Sequence, residues 1–255
     1  LFSYVLRMFA ITGFYHRYFS HRSFQAGRIA QFVFAFIGGT AAQRGALWWA
    51  GHHRIHHRIA DTPEDPHSPM HRGFLYSHML WFLTDENSRT PKDKVKDWRK
   101  FPELVWLDRF HIVPPVIYAV GMLMLGRWLE TFDALHTSAW QIFIWGFVIA
   151  TVAVYHGTYT INSLSHLYGS RRYDTPDTSR NNAILALITL GEGWHNNHHR
   201  YAVSTRQGFF PHELDLTYWG LRVLEKLKIV HDFRPVPESV LNETGGNPGM
   251  KGTSP

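Results

Sequence analysis

Eight of the chain's 18 histidines fall into three tight groups: His16-Arg-Tyr-Phe-Ser-His21, His53-Arg-Ile-His56-His57 and His195-Asn-Asn-His198-His199. Imidazole packs poorly as a hydrophobe and is charged only part of the time near neutral pH. Its strongest use in bulk is as a neutral nitrogen ligand for a metal. The pattern H-x-x-H-H puts histidines at i, i+3 and i+4, which share one face of a helix. Each such helix presents three imidazoles to one point, where a neighbouring pair of ions can divide them. The first pair, five residues apart, suits the frayed end of a helix. Each group lies beside a long apolar stretch, and there are more ligands than one ion takes. A multinuclear metal site handling a greasy substrate is implied.

The chain has no cysteine. It therefore has no disulfide, no Cys-ligated zinc and no iron–sulfur cluster of its own, and nitrogen and oxygen must hold the metal. Soluble di-iron bundles need two Glu-x-x-His pairs plus two further Glu, whereas Glu192 to His195 is the one such pair that ends in a histidine box here. The zinc-protease pattern H-E-x-x-H is absent, because His212-Glu213 lacks its second histidine. An all-nitrogen site without a nucleophile or paired carboxylates argues against hydrolysis and suits iron and oxygen chemistry. One more ligand is sought on the last long apolar helix. Thr158, Asn162 and His166 fall there at i, i+4 and i+8, with His166 as candidate ligand and Asn162 placed to hold a metal-bound water.

The elements that must position these groups follow from the apolar runs. The 255 residues are 45% hydrophobic and 15% aromatic, which excludes disorder for the chain as a whole. A mean hydropathy of -0.22 averages long apolar runs with charged, His-rich stretches. Ile112–Leu129 and Ala139–Ile161 are each near the roughly 20 apolar residues a bilayer crossing needs, and the short link Glu130–Ser138 makes them a hairpin. Leu1–Tyr15 reads as the end of another crossing that delivers His16 to the membrane edge. The chain opens inside that run without an initiator Met, so a missing N-terminus is expected. A full crossing by Ile29–Ala50 would separate His53–His57 from His16 and His21. That run, with Gly38-Gly39 and then Gln43-Arg44, better suits a helix lying on the membrane or dipping into it.

All three groups then lie on one face. Arg17, Arg22, Arg54, Arg58, Arg171 and Arg172 mark it as cytoplasmic. The same rule, rather than nucleic-acid binding, explains a net charge of +6. Thr84–Lys100 reads as a solvated surface segment and Ala183–Leu190 as a short apolar helix leading into the last group. Residues from Pro235 onward read as a disordered tail. The fold expected is all-α: an integral-membrane helical bundle with a cytosolic helical cap, over residues 1–234.

The three boxes, H-x4-H, H-x-x-H-H and H-x-x-H-H, resemble those of the integral-membrane fatty acyl desaturases. The likeness extends to His16-Arg-Tyr-Phe-Ser-His-Arg-Ser-Phe24, Asp65-Pro-His67, Arg72-Gly-Phe74, Asn162-Ser163 with His166, and Gly191-Glu-Gly-Trp-His195. It is particularly similar to the stearoyl-CoA, or delta-9, branch, and runs from about Leu1 to Arg234. The resemblance implies two iron ions bound by His16, His21, His53, His56, His57, His166, His195, His198 and His199, with Asn162 binding through water. It implies insertion of a cis double bond into a long-chain acyl substrate, with dioxygen as co-substrate leaving as water. Two electrons come from a separate electron-transfer protein, a ferredoxin or b-type cytochrome system. Gly51-His52 departs from the charged pair often found before the second box. An unactivated methylene has no acidic proton, so acid–base catalysis is useless on it and a redox metal is required.

Around this core, Glu192 and Asp61 are expected to orient ligand imidazoles, and His52 to sit behind a ligand. His67, His71 and His78 are structural or contact a head group. His156 either faces the site or makes a polar contact, while His111, His136, His212 and His231 read as surface residues. If the opening helix lines an acyl tunnel, as in the resembling enzymes, Tyr4 and Met8 form its floor. Arg54, Arg58, Arg171 and Arg172 either contact a CoA phosphate or merely obey the charge rule. The rivals are a hydroxylase or ketolase with the same metal site, and a metal carrier or transporter. Transport is disfavoured because only His156 and Asn162 fall inside a span.

Overall fold

A computed structural model describes residues 1–243. The described chain is built of helices. Its two short strands, Gln25–Ala26 and Val230–His231, pair antiparallel and pin the segment after the first histidine box to the stretch that follows the helix Leu216–Lys226. The opening helix Phe2–Phe9 continues as a π-helix over Ala10–Ser20, all of whose residues are buried. The wider turn is a form that recurs at functional sites, and here it carries His16 and ends at His21. This helix is the centre of the molecule. Phe14 stacks on Phe34 at 3.9 Å, and Tyr15 donates its hydroxyl to the Ala35 carbonyl at 3.1 Å. Gly38 is required at this crossing, since a Cβ there would lie 2.2 Å from the Tyr15 ring.

The segment expected to dip rather than cross is two helices, Arg28–Gly39 and Ala46–Ile59. The first, at about 18 Å, is too short for a bilayer core of about 30 Å. The chain turns between them through Ala42 and Arg44, both in the left-handed region at φ 58° and 62°. Arg44 is held there by the carbonyls of Ser88 and Phe82. The Asp108 carboxylate then caps the second helix by accepting from the Trp48 amide at 2.8 Å.

Ala139–Leu167 is the one helix among the described residues long and apolar enough to cross a membrane by itself. A second span is added if Pro102–Arg109 and Val113–Leu129, which meet at 71°, count together. Their outward faces expose Val116, Met124, Trp128, Trp140, Trp145 and Val152, apolar surface of the kind that marks an interaction site. Inside, the fully buried Arg7 guanidinium reaches Thr151 Oγ1 at 2.5 Å and the carbonyls of Thr40, Gly146 and Phe147. It ties the opening helix to both the long helix and the turn.

Three expectations are corrected. Thr84–Lys100 is not simply solvated: Asn87, Val95 and Trp98 are buried, and the Trp98 indole donates to the Phe19 carbonyl at 2.7 Å. Asp97 in the same segment pairs with Arg22 and Arg54. Arg17 is not a surface charge marker either, being 1% exposed between Glu192 and Asp215. The tail expected from Pro235 is ordered through Glu243. Glu238–Leu241 is helical, Val240 packs with Tyr173 and Phe209, and Glu243 pairs with Arg200. Residues 244–255 of that expected tail lie outside the described residues.

Candidate metal centre

Four elements bring the boxes together, and ion pairs set their register. Arg54, one residue past His53, donates to the Phe19 and Ser20 carbonyls at 2.8 and 2.9 Å and to Asp97. It clamps the second box against the end of the opening helix. Arg17, next to His16, bonds Glu192 at 3.0 Å and Asp215 at 2.9 Å, which fixes the third-box segment. The asparagines inside the third box are also fastened. Asn196 accepts from the amides of Arg172 and Tyr173, and Asn197 bonds Asn181, Glu213 and the Gln207 carbonyl. Nothing in the spacing alone assigned them that role.

The nine candidate histidines form two groups. His16, His21, His53, His57 and His198 make one, and His56, His166, His195 and His199 make the other; within each, one ring nitrogen per residue lies within 4.8 Å of all the rest. Each H-x-x-H-H helix is thus divided. His53 and His57, four apart, go to the first group and His56 to the second, while His195 and His199 go to the second and His198 to the first. Positions i and i+4 sit nearly in line on a helix, and i+3 lies to their other side. The two helices contribute to the groups in opposite senses.

The inward nitrogens are close. His21 Nε2 is 2.8 Å from His53 Nε2, His198 Nε2 is 2.9 Å from His57 Nε2 and 3.0 Å from His16 Nε2, and His166 Nε2 is 3.1 Å from His195 Nε2. A neutral imidazole brings one N–H, so nitrogens packed this way cannot all bond one another. Imidazole nitrogens held about 2.0–2.1 Å from one first-row ion at right angles lie about 3 Å apart. The donor set therefore fits a metal in each group.

Behind the rings stand carboxylates. His56 Nδ1 donates to Asp65 at 2.9 Å, His166 Nδ1 to Asp61 at 2.9 Å, His199 Nδ1 to Asp177 at 2.8 Å, and His16 Nδ1 to Glu192. Each fixes the tautomer that leaves Nε2 as an inward lone pair and raises its basicity. His199 Nε2 is buried without a protein partner, as an inward ligand atom should be. Glu192 and Asp61 do what the sequence suggested; Asp65 and Asp177 had not been recognised. Burial alone would raise these carboxyls, but hydrogen bonds and charge from their histidine partners hold all four below the usual carboxylate range.

Burial, and then the crowding of neighbouring imidazoles, pushes His21, His53, His57, His195 and His198 well below the ordinary value. Burial also takes His199 to about 4 against the pull of Asp177. These rings are neutral at pH 7, the form a metal needs. In the unfolded chain they titrate near 6.5, so between that pH and the lower folded values the unfolded state binds more protons. The metal-free protein is therefore expected to lose stability steadily as pH falls from about 6.5, read as a falling midpoint in thermal unfolding; a midpoint that rises on acidification would contradict this packing.

A cavity of about 540 Å³ adjoins the first group, lined by Trp48, Trp49, Tyr155, Tyr159 and Asn162 among others. A smaller one of about 30 Å³ lies beyond it, lined by Met8, Ile11, His16, His56, Ile161 and His195. Trp49, His53, Thr158 and Asn162 line both, so the two spaces are separated by little more than these side chains. Gln43 donates to Thr158 Oγ1 at 3.0 Å and accepts from the Trp49 indole at 3.4 Å, a chain that links two of them. Met8 is fully buried and lines the small space. Tyr4 lines neither; its hydroxyl donates to the Ile188 carbonyl at 2.6 Å.

His52 sits behind the second box with one ring nitrogen 3.2 Å from the Arg89 carbonyl, and burial lowers it to about 4. His67 packs on His56 and Asp65, His78 lies 3.1 Å from His156, and the exposed His71 bonds the Asp61 carbonyl. His111 is corrected: it is half-buried and lines the large cavity. His136, His212 and His231 are exposed, as expected.

Comparison with known proteins agrees with this geometry. The family model "Fatty acid desaturase" matches residues 1–222. The chain is 35% identical over 218 residues to the sn-2 palmitoyl-lipid 9-desaturase of Nostoc sp. (strain 36), covering 84% of this chain and 72% of that one. It is 34% identical over 241 residues to the acyl-CoA 5-desaturase AL21 of Anemone leveillei, covering 92% and 70%. It is 36% identical over 234 residues to the delta-9 acyl-lipid desaturase 1 of Arabidopsis thaliana, covering 90% and 72%. A matched model over most of the chain, relatives of one kind, and nine histidines converging beside an apolar cavity lead to one conclusion: the chain belongs to the fatty acid desaturase family.

Proposed function

We propose that this protein inserts a cis double bond, at the delta-9 position, into a saturated long-chain acyl group. Residues 1–234 form the desaturase unit, a multi-pass membrane protein with its metal face on the cytoplasmic side. Two iron ions are held by the nine histidines His16, His21, His53, His57 and His198, and His56, His166, His195 and His199, with Asn162 acting through water. When bound, iron supplies the redox chemistry with dioxygen that removes two hydrogens from an unactivated CH₂–CH₂ pair. The balance is two waters formed from dioxygen, with two electrons and two protons supplied from outside. The electrons come from a separate ferredoxin or b-type cytochrome system.

The observation that carries this reading is the largely apolar cavity of about 540 Å³ set against the histidine groups. Gln43 links Thr158 and Trp49, which line both this cavity and the small one beside it. There the protein holds the acyl chain at one pair of carbons, with aromatic walls excluding water. Asp61, Asp65, Asp177 and Glu192 keep four of the rings in the ligating tautomer while the redox state changes. The test is expression in a desaturase-deficient host, with double bonds located in its fatty acids by mass spectrometry. A delta-9 alkene is expected; hydroxylated products instead would assign the chain to the hydroxylases.

Met8 lines the small space, and Gly157 lets it and Tyr4 approach the long helix, since a Cβ there would lie 2.6 Å from the Met8 methyl. Met8→Ala removes the side chain beyond Cβ. It is expected to shift the preferred substrate toward longer acyl chains, read from the chain-length profile of the products. An unchanged profile would remove Met8 from the floor of the tunnel.

A further inference from the structure

The large cavity has a mouth, and it faces sideways. Its deep wall is Trp48, Trp49, His53, His67 and Trp81, whereas Leu83, Val152 and His156 are its exposed lining residues, Leu83 at 66% and Val152 at 50%. Val152 lies roughly 21 Å along the long helix from His166, midway down its apolar length rather than at the metal face. The other lip follows it down. Ser77 donates to the Asn162 carbonyl at 2.8 Å, His78 lies 3.0 Å from Ser163 Oγ and 3.1 Å from His156, and Phe82 packs on Tyr159 at 5.1 Å. Outside the mouth both lips continue as exposed apolar surface: Phe74, Leu75 and Leu80 on one, Trp145, Val148 and Ile149 on the other.

Charge at the mouth is equally informative. Arg44 is the single permanently charged residue lining the cavity. Its guanidinium donates to the Ser88 and Phe82 carbonyls and stacks on Trp48. A coenzyme thioester carries phosphates that demand free Arg or Lys, and this lining offers none. His111 and His156 instead bring ring N–H donors of the kind an ester carbonyl accepts.

From these observations we infer that the acyl chain enters laterally from the bilayer, through the gap between Leu83 and Val152, while still esterified to a membrane glycerolipid. The inference rests on the desaturase reading above and narrows it to one substrate class. The test uses the purified protein in vesicles whose phospholipid and galactolipid carry deuterated stearoyl chains, with deuterated stearoyl-CoA as the parallel substrate. Reduced ferredoxin and reduced cytochrome b5 are each supplied. Intact-lipid mass spectrometry is expected to show the double bond in esterified chains at least tenfold faster than in the thioester. Val152→Trp, which plugs the gap on the lipid-facing side, is expected to cut lipid turnover at least tenfold with the iron content unchanged. Desaturation of the thioester with the lipids untouched overturns lateral entry and leaves the desaturase reading standing, and so does full lipid turnover by Val152→Trp. Failure with both substrates and both donors overturns the desaturase reading and the inference together.

Discussion

His57→Ala and His195→Ala are each expected to leave about one iron per chain and to reduce double-bond formation to below about a thousandth of wild type. The two residues belong to different groups, His57 with His16, His21, His53 and His198, and His195 with His56, His166 and His199. Removing one ligand should therefore empty one position and spare the other. Elemental analysis beside an activity assay checks this. Retention of both metals, or their joint loss from either variant with the fold intact, would mean that the groups are not separate sites. The carboxylates behind them give a graded counterpart. Asp61→Asn and Asp177→Asn keep the shape but lose the acceptor charge that fixes His166 and His199. A loss of roughly 10–100-fold in metal affinity is expected, smaller than for the ligands themselves.

The second large effect is on stability. Arg17 is buried and makes ion pairs with Glu192 and Asp215 and a hydrogen bond to the Thr205 carbonyl at 2.9 Å. Arg17→Ala leaves two buried carboxylates without their cation, which costs about 3–5 kcal/mol. Glu192 also holds His16, so the loss spreads to the first metal group. Thermal unfolding in detergent should show a large fall in midpoint. Neutralising both carboxylates in the same background, with Glu192→Gln and Asp215→Asn, should recover part of it. A fall of less than about 1 kcal/mol would show that water or local rearrangement compensates the pair.

The meeting of the histidine boxes was legible in the sequence because histidine spacing is itself a geometry. Offsets of three and four on a helix place rings on one side, and an i+8 relation on an apolar helix singles out His166. The break in Ile29–Ala50 was legible from the requirement that the boxes meet. What the spacing did not carry was long-range pairing. Asp177 lies 22 residues before His199 and on a loop, so nothing local marks it as that ring's acceptor. Arg17 reads as an ordinary basic residue until tertiary structure places it between two acids from the other end of the chain. Trp98 sits in a charged stretch whose overall polarity hides one buried anchor. The turn at Ala42 and Arg44 uses left-handed backbone at residues that rarely adopt it, and only the carbonyls of Ser88 and Phe82 explain why it holds there.

The central claim is tested most directly by counting metal and product in the same preparation of the intact protein. Two iron atoms per chain, bound through nitrogen in an X-ray absorption spectrum, with one double bond formed per dioxygen consumed, is the predicted result. A single iron, a different resident metal with full activity, or dioxygen consumed with oxygen retained in the acyl product would contradict it.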